Sequence, residues 1–350
     1  MSGKEENVKR RVFLAAMTAM VLVLAACGES GGASESTTTT QATDDGGDEA
    51  LKIAILLDGE TSDRGFNATG EQAVEMLKEK YGADATYTES VNVAQSADIF
   101  RQYAQQGYDL VIGWGGQFSD GAATAAEEFP DTYFLGVSSS VSNGSNLASY
   151  DTAIEEWQFL AGYVLAKVSE TGIVGQISGQ CFPSTAANQN GTRDGAMYAN
   201  PDIEWLATYT GDFTDPTRAQ QAAQAMIDAG ADALTTNLND AVWGVVQAAE
   251  DSGDVFVMTE WFDNSEIAPD VIGAALNKTY APFVANKVDE ILAGEWKGDH
   301  QRFGLTEDWG PGVFKTDLLS QDIYDEVLEV QQKIVSGEIE VARDETCPGQ

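Results

Sequence analysis

Four groups of residues in the sequence could do chemistry. Glu260 and Asp263 are carboxylates on one short segment, the kind of pair that acid–base cleavage of a glycoside needs. The chain carries 56 Asp and Glu residues, so pairs like this arise in many windows and the pair alone says little. Gly113-Trp114-Gly115-Gly116 lies between an apolar run and a helical pattern, where a phosphate-cradling loop would sit. It lacks both the G-x-G-x-x-G spacing and the P-loop Lys-Ser/Thr, so a tight turn or a close backbone approach to a ligand fits better. His300, the single histidine, has no serine or cysteine motif around it and reads as a solvated loop residue. The fourth group is aromatic: Phe66, Trp114, Phe118, Phe182, Trp243, Trp261 and Phe262 fall at expected loops or element ends. Rings beside Asp and Asn suit a flat ligand with hydrogen-bonding edges, such as a nucleobase, while core or hinge packing is the competing use of each ring taken singly.

Charge narrows the classes further. With 19 Lys and Arg against 56 acids, the net charge is −37, so a phosphate backbone or an anionic lipid surface would repel the body. Nucleic-acid binding is thereby excluded as a main function. One histidine also argues against histidine-rich metal sites, and neither a metal nor a cofactor is expected.

The elements that must position these residues read as repeated strand–helix units. Leu51–Leu57 is a short β-forming apolar run that ends at Asp58-Gly59, as a buried parallel strand would. Helical spacing follows over Thr69–Lys80. The alternation continues to Thr132–Val137, restarts with a long helical segment around Trp157–Val168, and runs on to Val255–Thr259. Strands alternating with helices imply an open parallel α/β sheet, and the restart after about residue 150 implies two such lobes. Binding groups in such lobes gather at the carboxyl ends of strands. Asp58, Trp114, Glu260 and Asp263 all fall there.

The start of the chain reads as an address. Lys4, Lys9, Arg10 and Arg11 precede Val12–Ala26, apolar except for Thr18 and shaped like a signal-peptide core. Leu24-Ala25-Ala26-Cys27-Gly28 resembles a lipoprotein lipobox, which makes Cys27 the expected lipidation site. Arg10-Arg11 fits either twin-arginine export or the general secretory route. Residues 27–50 are Gly, Ser, Thr, Asp and Glu almost throughout and read as a flexible tether. With Cys27 lipidated, Cys181 and Cys347 remain as a pair in an oxidising compartment. A disulfide between them and two separate thiols both fit.

With these residues in view, the chain resembles the basic membrane protein family, lipid-anchored substrate-binding proteins of ABC importers. The resemblance runs from about Leu51 to Gly312. It rests on Asp58-Gly59 with Asp63-Arg64-Gly65-Phe66-Asn67, on Gly107–Gly113 with Phe118-Ser119-Asp120, and on Phe129-Pro130-Asp131. Gly162-Tyr163-Val164, Gly230-Ala231-Asp232, Asp263-Asn264 with Ala268–Val271, and Gly294-Glu295-Trp296 complete it. The resemblance implies a type I periplasmic-binding fold of two Rossmann-like lobes with parallel sheets joined by a hinge. Residues 1–26 would be the signal peptide. Lobe 1 would span 51–152 with about 270–305 returning to it, and lobe 2 would span 153–269 with about 306–345 returning.

The same resemblance implies a purine base or nucleoside as ligand. Asp58, Phe66 and Asn67 would lie on one lip of the cleft, with Trp114, Phe118 and Asp120 extending that face. Phe182 would come from the second lobe and Asp263 from near a hinge crossing. Many nucleoside binders of the family read Gly-x-Asp-x-Asp-Gln where this chain has Thr259-Glu260-Trp261-Phe262-Asp263-Asn264. Trp261 thus stands where a ribose-binding aspartate is expected, with Glu260 beside it, which favours a bare base or another flat ligand. Lys278 falls where the family often has a lysine, although a solvated helix start fits the sequence equally well.

The resulting expectation is a non-enzymatic binding protein, a monomer as is the default for its class, held at the outer face of the cell membrane, that passes a small molecule to an ABC permease. A ligand sensor for a membrane receptor kinase and a carboxylate-dependent surface glycoside hydrolase are the alternatives.

Overall fold

The computed structural model of the chain describes residues 50–306 and 310–347. The expected signal peptide, Cys27 and all of the tether except Ala50 lie outside these residues. Within them the strand–helix alternation builds two six-stranded sheets. The first contains β1 (Lys52–Leu56), β2 (Asp84–Thr88), β3 (Leu110–Trp114), β4 (Tyr133–Val137), β5 (Leu147–Thr152) and β11 (His300–Phe303), ordered β2-β1-β3-β4-β5-β11 with every pair parallel. The second contains β6 (Ile173–Ser178), β7 (Glu204–Tyr209), β8 (Ala233–Asn237), β9 (Phe256–Glu260), β10 (Ile272–Leu276) and β12 (Val313–Lys315). Its order, β7-β6-β8-β9-β10-β12, repeats the first, except that β12 runs antiparallel to β10.

Helices cover both faces, which is why the inner strands are apolar runs and not alternating ones. α1 (Phe66–Tyr81), α2 (Ser96–Gln105), α3 (Ser119–Glu128) and α8 (Ala281–Ala293) pack on the first sheet. α1 turns Ala73, Val74 and Leu77 inward, and Gly82 ends it in the left-handed region with its N–H on the carbonyls of Leu77 and Lys78. α4 (Ile154–Val168), α5 (Pro183–Ala199), α6 (Pro216–Asp228), α7 (Val242–Ser252) and α9 (Gln321–Val335) pack on the second. α4 and α5 touch backbone to backbone through Gly162, Gly191 and Gly195, where any Cβ would overlap the facing helix.

The chain crosses between lobes between β5 and α4, again between β10 and α8, and a third time between β11 and β12. The second crossing corrects the sequence expectation. Ile272–Leu276 pairs with β9 and belongs to the second sheet, so the chain returns at residues 277–280 and not near 270. After α9 the tail packs Ile339 and Val341 on the second core. It ends in a disulfide between Cys181 and Cys347, Cα atoms 6.0 Å apart.

Candidate ligand cleft

In a doubly wound sheet, the strand order reverses direction at one point, and the loops leaving the two strands there diverge to opposite faces and open a crevice. Here the reversals fall between β1 and β3 in the first lobe and between β6 and β8 in the second. Their loops face each other across one cleft of about 770 Å³, the open solvent at its mouth included. Asp58, Gly116 and Gln117 line it from the first lobe, and Phe182, Asn237 and Asn239 from the second.

Asp58 lies beyond the end of β1, and its carboxylate accepts a hydrogen bond of 2.8 Å from Gln117 Nε2. Dehydration in the cleft wall raises its carboxyl pKa; the neighbouring Asp63 charge adds to this, while hydrogen bonds from Asn67 and Gln117 oppose it. Phe66 opens α1 and meets Trp261 and Tyr280 with ring centroids 5.3 and 6.0 Å away. Trp261 and Tyr280 themselves lie 5.6 Å apart, and all three line the cleft. On the outer side, Phe182 packs near Phe213, with centroids 6.0 Å apart. Aromatic surface therefore reaches the cleft from both lobes.

Two cleft residues are held in the left-handed region without being glycine: Ser138 at φ 52° and Trp261 at φ 76°. Each is the first residue after its strand, β4 and β9, and those strands hold equivalent places in the two sheets. Each also meets Tyr280, Ser138 through a 3.2 Å hydrogen bond to the phenol oxygen. A non-glycine residue there costs about 1–3 kcal/mol and persists only where its surroundings enforce it. Burial pushes the Tyr280 hydroxyl up to about 12, so it stays neutral.

Beneath Trp261 lies a buried ion pair. Lys278 Nζ donates to Glu260 Oε2 at 2.9 Å and sits 4.2 Å from the Trp261 ring centroid. Glu260 also accepts from Gln158 Nε2, from Asn188 Nδ2 at 3.4 Å and from Asn237 Nδ2 at 3.4 Å. Burial lowers the Lys278 pKa, and Glu260 acts against that. Lys278 is thus an internal cation, not a solvated helix start.

The sequence-derived site residues separate clearly. Asp58, Phe66, Phe182 and Trp261 line the cleft. Asn67 is buried behind it, with Oδ1 accepting from Gly59 N–H and Nδ2 donating to Asp63. Trp114 is fully buried and braces Phe66, its Nε1 donating to the Phe66 carbonyl at 3.1 Å and to Thr69 Oγ1 at 3.2 Å. Phe118 is buried in the core of the first lobe. Asp120 is exposed in the first turn of α3, away from the cleft. Glu260 does not line the cleft but is buried behind it on Lys278, whereas Asp263 is exposed and closes a local turn onto Ser265 N–H. The carboxylate pair considered for glycoside cleavage is therefore not assembled on one cavity. His300 is exposed on β11, its Nδ1 3.0 Å from Ser149 Oγ.

Sequence reasoning missed Gln117, Ser138, Asp151, Asn188, Asn237 and Tyr280, all of which line the cleft. Asn237 ends β8, a strand-end signal that could have found it. Tyr280 sits in a crossing segment and carried no such signal.

The family model described as ABC transporter substrate-binding protein PnrA-like, Bmp, matches residues 50–345. The chain belongs to this family. Members and neighbours span several ligands. It is 26% identical over 298 residues to a purine-binding protein of Brucella abortus, covering 83% of each chain. To a putative ABC transporter glucose-binding protein of Haloferax volcanii it is 27% identical over 84% of this chain and 74% of that one. A solute-binding protein of an ABC transporter system from Conexibacter woesei superposes with a TM-score of 0.69 at 28% identity, over 84% of this chain and 99% of the other. The fold is that of the type I periplasmic binding proteins, as the resemblance implied. Among the described residues no helix is long and apolar enough to cross a membrane.

Proposed function

We propose that this Bmp family protein is the extracytoplasmic, non-enzymatic binding component of an ABC importer, that it captures a purine base by closing two lobes on a hinge, and that it hands the base to a membrane permease. A lipid on Cys27 anchors it, and a monomer suffices. The observation that carries the reading is the meeting of two switch-point crevices in one cleft, with rings from both lobes and hydrogen-bonding side chains between them. A flat heterocycle fills such a space by stacking and is oriented by its polar edge. Trp261 and Lys278 line the cleft, with Lys278 already held by the buried Glu260, leaving less room and fewer free groups for a ribose, which favours the base over the nucleoside. The Brucella relative supports a purine, and the Haloferax relative makes a sugar the result to guard against.

The test is a melting-temperature screen of residues 51–350, unfolded and refolded first to strip carried ligand, against nucleobases, nucleosides, sugars and amines. At 100 times its Kd a ligand adds about 2.7 kcal/mol. A shift with adenine or guanine and none with their nucleosides is expected. A shift with glucose and none with any purine refutes the ligand assignment. For the anchor, Cys27→Ser should move the full-length protein from the membrane fraction to the soluble fraction; retention in the membrane refutes it.

A further inference from the structure

We propose that Arg343, on the tail of the second lobe, is a positioning residue of the cleft: it fixes and neutralises Asp151 on the first-lobe wall, so that the lobes can close over an uncharged ligand. This rests on the binding reading above and narrows it to ligands that bring no countercharge to that wall.

Three charged side chains line the cleft: Asp58, Asp151 and Lys278. Lys278 is held by Glu260 behind the wall. Asp58 takes its side-chain hydrogen bonds from the neutral amides of Asn67 and Gln117. Asp151 stands one residue before the end of β5, with 14% of its side chain exposed. Its Oδ2 meets Arg343 Nη2 at 2.7 Å, and its Oδ1 accepts from the next residue in the chain, Thr152 N–H, at 2.8 Å. The other charged groups near this wall are committed elsewhere. An adjoining cavity that shares Asp58 and Asp151 with the cleft adds His300, Arg302, Arg343 and Glu345. Arg302 pairs with the buried Glu155, Glu345 takes Arg343 Nε at 2.7 Å, and His300 Nδ1 lies against Ser149. Among the described residues no second cation pairs with Asp151. Arg343 therefore decides whether the cleft wall carries one uncompensated carboxylate or two.

The guanidinium arrives from a segment clamped on both sides of it. Before Arg343, Ile339 and Val341 pack on the second core. Beyond it, Asn190 Nδ2 of α5 donates to the Asp344 and Thr346 carbonyls, and the disulfide ties Cys347 to Cys181. From that clamp Arg343 reaches a strand of the first sheet. It also donates to the Thr152 carbonyl at 3.3 Å and to Glu155 at 3.5 Å, where the chain first crosses between lobes. Filling and closing the cleft takes water from Asp151. A carboxylate with its arginine in place has that charge already answered, whereas one without it must be dehydrated bare or be brought a cation by the ligand. A neutral base or sugar brings none.

The experiment is a double-mutant cycle of wild type, Arg343→Gln, Asp151→Asn and the double variant, read by calorimetric titration with adenine, or with glucose where adenine does not bind. Arg343→Gln should bind about ten-fold more weakly than wild type, while the same change made on Asp151→Asn should alter affinity by less than about two-fold. The bonds from Arg343 to Thr152, Glu155 and Glu345 are lost in both backgrounds and cancel. An equal loss in both, or no loss in either, therefore overturns the proposal. Arg343→Lys restores the charge without the fork and should recover affinity to within about three-fold of wild type; a lysine form as weak as the glutamine form also overturns it. Melting temperatures of the four cycle proteins without ligand give an independent arm. The step Asp151→Asn should lower the midpoint by about 1–2 °C more in wild type than in Arg343→Gln. Equal steps show that the two side chains do not act on each other and overturn the proposal. If neither probe binds wild type, the ligand reading fails, and the melting cycle alone still decides whether Arg343 acts on Asp151.

Discussion

The Glu260–Lys278 pair lends itself to a quantitative test because both side chains are almost out of water, 2% and 5% exposed. Glu260→Gln removes the charge that compensates Lys278 and leaves an amide that cannot accept from all four present donors. Breaking a buried pair on one side destabilises by about 3–5 kcal/mol, since an ion is left in a medium that solvates it poorly. Unfolding entropy scales with length, giving about 0.6 kcal/mol per degree for about 300 residues, so the melting temperature should fall by about 5–8 °C. The loss should also depend on pH with a definite sign. Burial already depresses the Lys278 pKa, and Glu260 is what holds it up. Without Glu260 the ammonium deprotonates at lower pH in the folded state than in the unfolded chain. The deficit of Glu260→Gln is therefore full near neutrality and shrinks as pH rises through the depressed value towards the unfolded one, about 10.4. The double change Glu260→Leu with Lys278→Met removes both ions and should recover most of the stability. Differential scanning calorimetry of the three variants across pH is the assay. A Glu260→Gln midpoint within a degree of wild type at neutral pH, or a double variant weaker than either single one, would refute the argument that the pair is buried and mutually dependent.

Asp58 accepts hydrogen bonds as a carboxylate, and its pKa is raised by burial. Ligand affinity should accordingly fall as pH drops through that raised value, and Asp58→Asn should flatten the dependence above the ordinary carboxylate range; an unchanged profile in Asp58→Asn would assign the titration elsewhere. The Cys181–Cys347 bridge spans 166 residues of sequence, for which loop-closure entropy gives a ceiling of about 5 kcal/mol. The tail can detach without global unfolding, so Cys181→Ser with Cys347→Ser should lose less than that, about 2 kcal/mol or more. Hydrogen exchange should then speed up first over residues 339–347; an unchanged tail would show that Asn190, whose Nδ2 donates to the Asp344 and Thr346 carbonyls, and Arg193 hold it unaided. Gly162→Ala and Gly195→Ala each drive a Cβ into facing backbone, at the Thr192 and Phe159 carbonyls, and should cost about 3 kcal/mol or more by chemical denaturation. A change under about 1 kcal/mol would mean that α4 and α5 can separate freely.

What the sequence could and could not reveal follows from the range of the interactions. Strand–helix alternation is a local pattern and was legible for β1–β4 and β6–β9; β5, β10, β11 and β12 escaped, and the return crossing was misplaced because the partner of Ile272–Leu276 is a neighbouring strand that local pattern does not name. Asp58 and Phe66 were legible because the end of β1 fixes where they emerge. The Asp63–Asn67 motif was legible as a motif but not in its use. Asp63 accepts from the backbone N–H groups of Gly65, Asn67 and Ala68 and from Asn67 Nδ2, so most of the motif builds the loop and only Phe66 faces the cleft. Trp114 ends a strand buried at every position and turns inward, so a ring at a strand end need not be a ring in the site. Asp120 and Asp263 were drawn from an acidic surplus in which neighbours in sequence carry little information.

The remaining cleft residues depend on contacts between lobes, and Trp261 shows why these resist reading. Its backbone leaves the second sheet at β9, yet its ring packs in the core cluster of the first lobe, against Phe66 and Tyr280. The left-handed φ is what turns the ring across. A rigid opening that carried Trp261 with its strand would pull it from Phe66 and Tyr280, while an opening that left the ring in place would have to bend the backbone at residue 261. The strained residue therefore lies on the path of either motion. Ser138 holds the equivalent place in the first lobe and touches the same tyrosine, so the two lobes meet at Tyr280 through their matching strand ends. A ligand stacked on Phe66 and Trp261 would rest against that junction, which couples occupancy of the cleft to the relative position of the lobes.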